Sequence, residues 1–394
     1  MAVTGIGVVS ALGTQPETFW SRLVAGSDGA VAGPVPNFDP SMWLGRREIR
    51  RSSRFMQFAV AAAARAAEDA DLTPTTDPRV DLVSSDRTAV VLANVYGAPE
   101  VLAEAEATFT THGPSAVNPL LGMIACESAA AAAVALKLGA RGPTKVVVGA
   151  CAGGAMAIAD GADLIRFGRA DRVFAGASQA MVTPSIEAAY QNLRVLSPTA
   201  RLRPFHRMRD GFVFSEGAAV LVLETLARAV DRGARIYGLV AGSANTNDAA
   251  NMISPSGDGA VWCMRLALAD AGLDPADVVH VNAHGTGTEV NDLVEADAIA
   301  EVFGADGCTV TSIKAVTGHT ASASGAFEAA AVLLSFHHGR LPPATLDTNV
   351  DQRIDVPVIT GTAAHWIPGP TISNSFGLGG HNCSLVFTPY SPAP

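Results

Sequence analysis

At 394 residues, with 48% hydrophobic and only 16% charged side chains, the chain has the length and apolar content for a large packed core, which excludes a disordered or fibrous protein. A formal charge of −10 excludes general affinity for nucleic acid or an anionic membrane, and no apolar stretch reaches spanning length without polar interruption, so no transmembrane helix is predicted. The five cysteines (Cys126, Cys151, Cys263, Cys308 and Cys383) are scattered and never form a CxxC pair, which argues against disulfides and structural zinc and for a cytoplasmic protein with free thiols.

The N-terminal segment AVTGIGVVSALG lacks a basic n-region and reads as a first strand running into a glycine turn, not as a signal peptide; Ala2 rules out N-myristoylation. Further strands are predicted at 88–93, 145–150, 172–177, 218–224, 236–242, 278–283, 308–312 and 383–387, where apolar β-branched runs occur. Helical patterns lie between them at 56–69, 127–138, 152–167, 260–271, 292–303 and 325–337. This alternation predicts an α/β fold with buried sheets. Two similar halves, 1–230 and 231–394, are suggested because each closes with an apolar strand after a glycine-rich turn, EGAAVLVLE in one and GGHNCSLVF in the other. Segments 30–40 and 73–78 read as surface loops, and 391–394 as a frayed tail.

Five polar-tipped, glycine-punctuated motifs stand out. GACAGGAM places Cys151 between an apolar strand and a helix, where unsatisfied backbone N–H groups and the helix dipole favour a thiolate. Taken alone, Cys151 reads either as a nucleophile or as the buried, inert thiol that free cysteine commonly is. AHGTGTE puts His284 at a strand end, with Thr286 and Thr288 offering hydroxyls two residues apart; His280, within the strand, reads as a packed histidine. In KAVTGHTASASGAFE, Lys314 and His319 bracket a turn at Gly318, and Glu328, nine residues beyond His319, can face back toward them on a helix. NSFGLGGHN reads as a loop able to swing or to present N–H groups to an oxyanion. RDGFVFSEG, from Arg209, is the fifth. Phosphate-loop and dinucleotide fingerprints are absent from the sequence, and the histidines have neither HExxH spacing nor a cysteine partner, so no metal site is expected.

Together these motifs resemble the β-ketoacyl–acyl carrier protein synthases, the elongating condensing enzymes of fatty acid and type II polyketide synthesis, almost end to end from VTGIGVVSALG to NCSLVF. The resemblance implies the thiolase-like fold, two pseudo-symmetric α/β halves with mixed sheets in five αβαβα layers. It implies a dimer, either a homodimer or a heterodimer with a ketosynthase-like chain-length subunit. It also implies that Cys151 is the acyl-accepting nucleophile, that His284 and His319 are the two catalytic histidines, and that Lys314 and Glu328 are the pair behind them. Phe212 matches a phenylalanine near the malonyl site, Thr286 and Thr288 match the threonines that hold the phosphopantetheine arm, and Phe376, Gly377, Leu378 and Gly379 form the glycine loop. The basic run at Arg46, Arg47, Arg50, Arg51 and Arg54 is the one such cluster in an acidic chain; Arg46 to Arg51 look like a patch that receives the acidic acyl carrier protein, with Arg203 a further contact. The implied reaction is decarboxylative Claisen condensation of an acyl chain on Cys151 with malonyl-carrier protein, with no metal or redox cofactor.

Four residues depart from the family pattern: Ala152 where Ser or Thr is usual, Leu378 where a gating phenylalanine is expected, His381 for Thr and His206 for Asp. They are expected to cluster around the acyl pocket and its gate. The alternatives are a non-elongating acyltransferase and a non-catalytic chain-length subunit; retention of Cys151 and both histidines argues against the latter.

Overall fold

A computed structural model describes residues 1–30, 33–72 and 86–391. The expected loop at 73–78 and residues 392–394 of the expected tail lie outside these. The N-terminal half runs β1 (Ala2–Ser10), α1 (Pro16–Ala25), α2 (Arg46–Ile49), α3 (Arg54–Asp69), β2 (Thr88–Ala93), α4 (Pro99–His112), α5 (Leu121–Ile124), α6 (Ala129–Leu138), β3 (Thr144–Val147), α7 (Gly153–Arg166), β4 (Arg172–Gln179), α8 (Pro184–Asn192), β5 (Gly217–Glu224) and α9 (Leu226–Asp231). The C-terminal half follows with β6 (Gly238–Asn247), α10 (Gly257–Ala271), β7 (His280–Asn282), α11 (Glu289–Phe303), β8 (Thr309–Thr311), α12 (Lys314–Thr317) and α13 (Ser324–His338). A two-strand ladder of β9 (Arg340–Leu341) and β10 (Ala364–His365) precedes the final hairpin of β11 (Thr371–Gly377) and β12 (His381–Thr388).

The strand order is β3-β2-β4-β5-β1 in the first half and β6-β12-β11-β7-β8 in the second. Setting the β9–β10 ladder aside, each half places its third, second, fourth, fifth and first strands side by side. All four strand pairings in each half also agree in direction: β2 is parallel to β3 and β4 while β5 is antiparallel to β4 and β1; β7 is parallel to β8 and β11 while β12 is antiparallel to β11 and β6. The halves meet where Ala2 and Val3 pair with Leu239 and Gly238.

Both faces of these sheets are covered, which is why the strands read as continuous apolar runs. In β5, Ala219, Leu221 and Leu223 enter the core between the sheets, while Ala218, Val220 and Val222 enter an outer one. Five layers result: α3 and α6, the first sheet, α7 and α13, the second sheet, and α10 with α11. The abundance of alanine and glycine follows from how closely these layers approach. A Cβ on Gly7 would collide with the Ala62 carbonyl of α3. A Cβ on Gly154 would lie 2.6 Å from the Ser322 carbonyl oxygen, and one on Gly325 2.7 Å from the Ala155 nitrogen, so α7 and α13 can cross only with glycine at both positions. That crossing sets the start of one central helix beside the other.

Three differences from the sequence expectations matter for the site. The strand expected at 145–150 stops at Val147, because Ala150 adopts φ of 46° and Ala150–Ala152 wind into a 3-10 turn. The expected loop NSFGLGGHN, 374–382, is strand β11 as far as Gly377 and strand β12 from His381, and only 378–380 turn. Helices α4 and α8 bury no residue, so they carry no apolar stripe that periodicity can detect. Among the described residues, no helix is long and apolar enough to cross a membrane.

Candidate active site

Cys151 lies in the 3-10 turn that opens α7, immediately after Ala150 with its left-handed backbone. Such a conformation costs an alanine about 1–2 kcal/mol and is held here by its surroundings. A Cβ on Gly377 would lie 3.0 Å from the Cys151 nitrogen, so the end of β11 rests directly on the Cys151 turn. Cys151 keeps part of its surface open to a cavity. Enclosure of its sulfur pushes the thiol up to about 11, against the opposing pull of the Lys314 charge and the backbone N–H groups of Leu378 and Cys151. The preference for thiolate expected from the helix start is therefore outweighed by desolvation, and the resting group is the thiol.

His284 follows β7, and its position is fixed by a residue that motif reading missed. The Glu295 carboxylate on α11 accepts the backbone N–H of His284 at 2.7 Å and of Gly285 at 2.8 Å. Burial pushes Glu295 up to about 7. Asp292, one turn earlier, accepts from the nitrogens of Phe205 at 2.8 Å and Gly287 at 3.1 Å. Arg209, the first residue of RDGFVFSEG, pairs with Asp351 at 2.7 Å and donates to the Thr288 carbonyl at 3.1 Å. The loop 284–288 is thus pinned at both ends, with the Thr286 and Thr288 hydroxyls 3.0 Å apart. In the sequence, buried Asp292 and Glu295 are indistinguishable from the exposed Glu289, Asp297 and Glu301 of the same helix, so no local signal reveals this support.

His319 is placed by the RDGFVF segment: its N–H donates to the Val213 carbonyl at 2.9 Å, and its carbonyl accepts from the Ser215 nitrogen at 3.0 Å. The two imidazoles face each other with centroids 5.6 Å apart, nearly perpendicular; Phe212 packs on His319 and Phe376 on His284. Behind them, buried Lys314 donates to the Glu328 carboxylate, to the His284 carbonyl and, at 3.3 Å, to His284 Nδ1. Ser324 Oγ lies 3.0 Å from His319 Nδ1. Because Lys314 can only donate, His284 Nδ1 accepts and its Nε2 carries the proton. Burial first, and then the Lys314 charge, hold both histidines well below the ordinary imidazole range, so both are neutral donors at neutral pH.

One cavity is lined by Cys151, His284, His319, Phe212, Thr286, Thr288, Phe376, Gly377 and Leu378. Gly379 is not part of that wall; Gly380 is, while the Gly379 N–H turns to the Met252 carbonyl at 2.8 Å. Arg46, Arg47, Arg50 and Arg51 are exposed on and just after α2, and none forms an ion pair among the described residues. Arg54 leaves this basic set, because Glu216 binds it at 2.6 Å. Arg203 is partly buried, its side chain 13% exposed and 3.8 Å from Asp210, unlike the open arginines of α2.

Three of the four family departures lie around Cys151 and the turn after β11: Leu378 lines the cavity, Ala152 is buried next to Cys151, and His381 packs next to Gly379. His206 is buried outside the cavity wall, with its Nε2 3.0 Å from Asp347. His280 bonds the Thr311 hydroxyl at 2.9 Å and packs on Trp366, a structural role. Among the described residues, the one cluster with metal-ligand potential, Glu17, His337 and His338, is also absent from the cavity wall.

A sulfur beside two neutral imidazoles, with backbone N–H groups at the sulfur and a cavity leading to it, defines an acyl-transferring enzyme of the condensing class. Residues 30–229 match the family model described as beta-ketoacyl synthase, N-terminal domain, and residues 237–346 its C-terminal domain. The chain is 35% identical to 3-oxoacyl-[acyl-carrier-protein] synthase 2 of Synechocystis sp., covering 99% of this chain and 98% of the relative. Among solved structures, the ishigamide ketosynthase/chain length factor superposes with a TM-score of 0.91 at 30% identity, covering 99% of each chain. A type II polyketide acyl carrier protein in complex with its ketosynthase, bound to a hexaketide, matches with a TM-score of 0.86 at 29% identity, again over 99% of each chain. The chain belongs to the β-ketoacyl synthase family, and its activity is the elongating condensation of fatty acid or polyketide synthesis.

Proposed function

We propose that the two halves divide the chemistry, residues 1–230 supplying the nucleophile and 231–394 the imidazoles. The Cys151 sulfur attacks an acyl thioester on carrier protein, and the phosphopantetheine thiol leaves with the cysteine's proton. Malonyl-carrier protein then enters along Thr286 and Thr288. His284 and His319 donate from Nε2 to the malonyl thioester oxygen, where negative charge gathers as CO2 departs. The resulting carbanion attacks the acyl carbonyl on Cys151. The N–H groups of Cys151 and Leu378 hold the second oxyanion until the sulfur is expelled. This chemistry draws on no metal or redox cofactor. The observation that carries the reading is the convergence of Cys151, His284 and His319 on one cavity from segments 168 residues apart in the chain.

The partners follow from the surface. Exposed, unpaired Arg46, Arg47, Arg50 and Arg51 offer complementary charge to an acidic acyl carrier protein. Strand β3 is a sheet edge with exposed residues, and Leu136 and Met123 are 85% and 70% exposed. A bare edge and apolar side chains of this size call for a second subunit, another copy or a ketosynthase-like chain-length partner. Scattered free thiols suit the cytoplasm.

Intact-mass analysis with acyl- and malonyl-carrier protein tests the reading. An acyl adduct on Cys151 followed by a β-ketoacyl product is expected, and Cys151→Ala abolishes both. His319→Ala spares acylation more than condensation; equal loss in both steps sinks its assigned role. An adduct without elongation favours the non-elongating acyltransferase, and no adduct from any donor favours the chain-length subunit.

A further inference from the structure

Tyr96 and Tyr190 come from segments 94 residues apart, yet their hydroxyl oxygens lie 2.6 Å from each other. Tyr190, on α8, lines the same cavity as Cys151, and its ring meets Phe212 and Phe214 edge-on at 6.0 Å and 5.1 Å. Tyr96 sits on the turn after β2, and that turn is rigid. Asn94 donates to the Ser178 carbonyl at 2.5 Å and accepts from Gly97 N–H, and a Cβ on Gly97 would collide with the Ala125 carbonyl. Both phenols lie close enough to Cys151 for a charge on its sulfur to act on them, and burial drives both away from ionisation.

The hydrogen-bond count at this pair is incomplete. Two hydroxyls bring two donor protons, and a single O–H···O bond uses one. Neither hydroxyl has another partner among the described residues. One phenolic proton of the pair is therefore unclaimed among the described residues, and Tyr190 shares its cavity with Cys151. Methylene groups packed there would strip it of water and give nothing back, whereas a keto or hydroxyl oxygen on the chain would accept it.

We propose that Tyr96 and Tyr190 are specificity-determining residues that favour acyl chains carrying an oxygen acceptor, such as keto- or hydroxyacyl groups, over fully saturated chains of the same length. This rests on Cys151 being the acyl acceptor. The class of reaction supplying such a substrate is a condensation whose product has not been fully reduced.

The experiment compares hexanoyl-, 3-oxohexanoyl- and 5-oxohexanoyl-carrier protein as donors, following the rate of Cys151 acylation by intact mass. At least one oxo chain is expected to outpace the saturated chain roughly tenfold. A single Tyr→Phe change still leaves one phenolic proton without a partner, so the decisive variant is the double replacement Tyr96→Phe with Tyr190→Phe, checked by thermal melting, which should bring that ratio toward one. Wild-type rates that are equal, or faster for hexanoyl, overturn the proposal while leaving the condensing reading in place. So does an oxo preference that survives in the double variant. Absence of acylation from all three donors overturns the condensing reading and this inference with it.

Discussion

Lys314 shows how one buried side chain organises the chemistry around it. Its three protons are shared among the Glu328 carboxylate and the carbonyl and Nδ1 of His284, so it sets the imidazole's tautomer and keeps it neutral. Because burial lowers both histidines, the unfolded chain binds more protons below the ordinary imidazole pKa of about 6.5. Their contribution to stability is therefore complete above that pH and is lost as pH falls beneath it. Glu295 acts with the opposite sign, since its raised carboxyl keeps a proton in the native state between the ordinary glutamate range and about 7. The histidine part is isolated by difference: His284→Asn should flatten the fall in unfolding free energy between pH 7 and pH 5, read from urea titrations. Glu295→Ala frees the two loop amides that place His284. Condensation should fall about tenfold to a hundredfold, while acylation of Cys151 changes little, as single-turnover mass kinetics would show. Cys151, His284 and His319, which share the cavity, were legible as candidates because each sits at a strand or helix end within a glycine-punctuated motif, while the resemblance supplied their expected roles. Glu295 was not, since an acid in a helix signals nothing until the loop it faces is known.

The elements are defined by how closely they can approach. Helix α3 lies on β1 because Gly7 leaves room for the Ala62 carbonyl, and α7 crosses α13 because Gly154 and Gly325 leave room for backbone. Gly7→Ala should cost about 1–3 kcal/mol or more in urea unfolding, because the obstructing atom is backbone and cannot rotate away. Gly122→Ala, in α5, meets nothing within 4 Å and should be neutral or slightly stabilising in the same measurement. Strands buried on both faces were legible as apolar runs, and 88–93 coincides with β2. Helices α4 and α8 were not, because exposure removes the periodic stripe. The end of the strand before Cys151 was displaced by a backbone conformation at Ala150 that residue type does not announce.

At the scale of the whole molecule, the repeated sheet order brings the start of α7, the loop after β7 and the turn after α12 to one cavity. It also leaves β3 as an open edge. A mass of 40.3 kDa for one chain makes the subunit prediction direct: sedimentation should report twice that value, and Leu136→Glu combined with Met123→Glu should return the single-chain mass. What the order of amino acids determined unaided was the α/β class and the motifs that carry the candidate residues, because strand patterning and motif spacing are local properties. What awaited the tertiary structure was the protonated state of Cys151, the burial of Arg203 and the meeting of Tyr96 with Tyr190. Desolvation, ion pairing and contact across 94 residues are set by neighbours that the chain brings near only after it has packed.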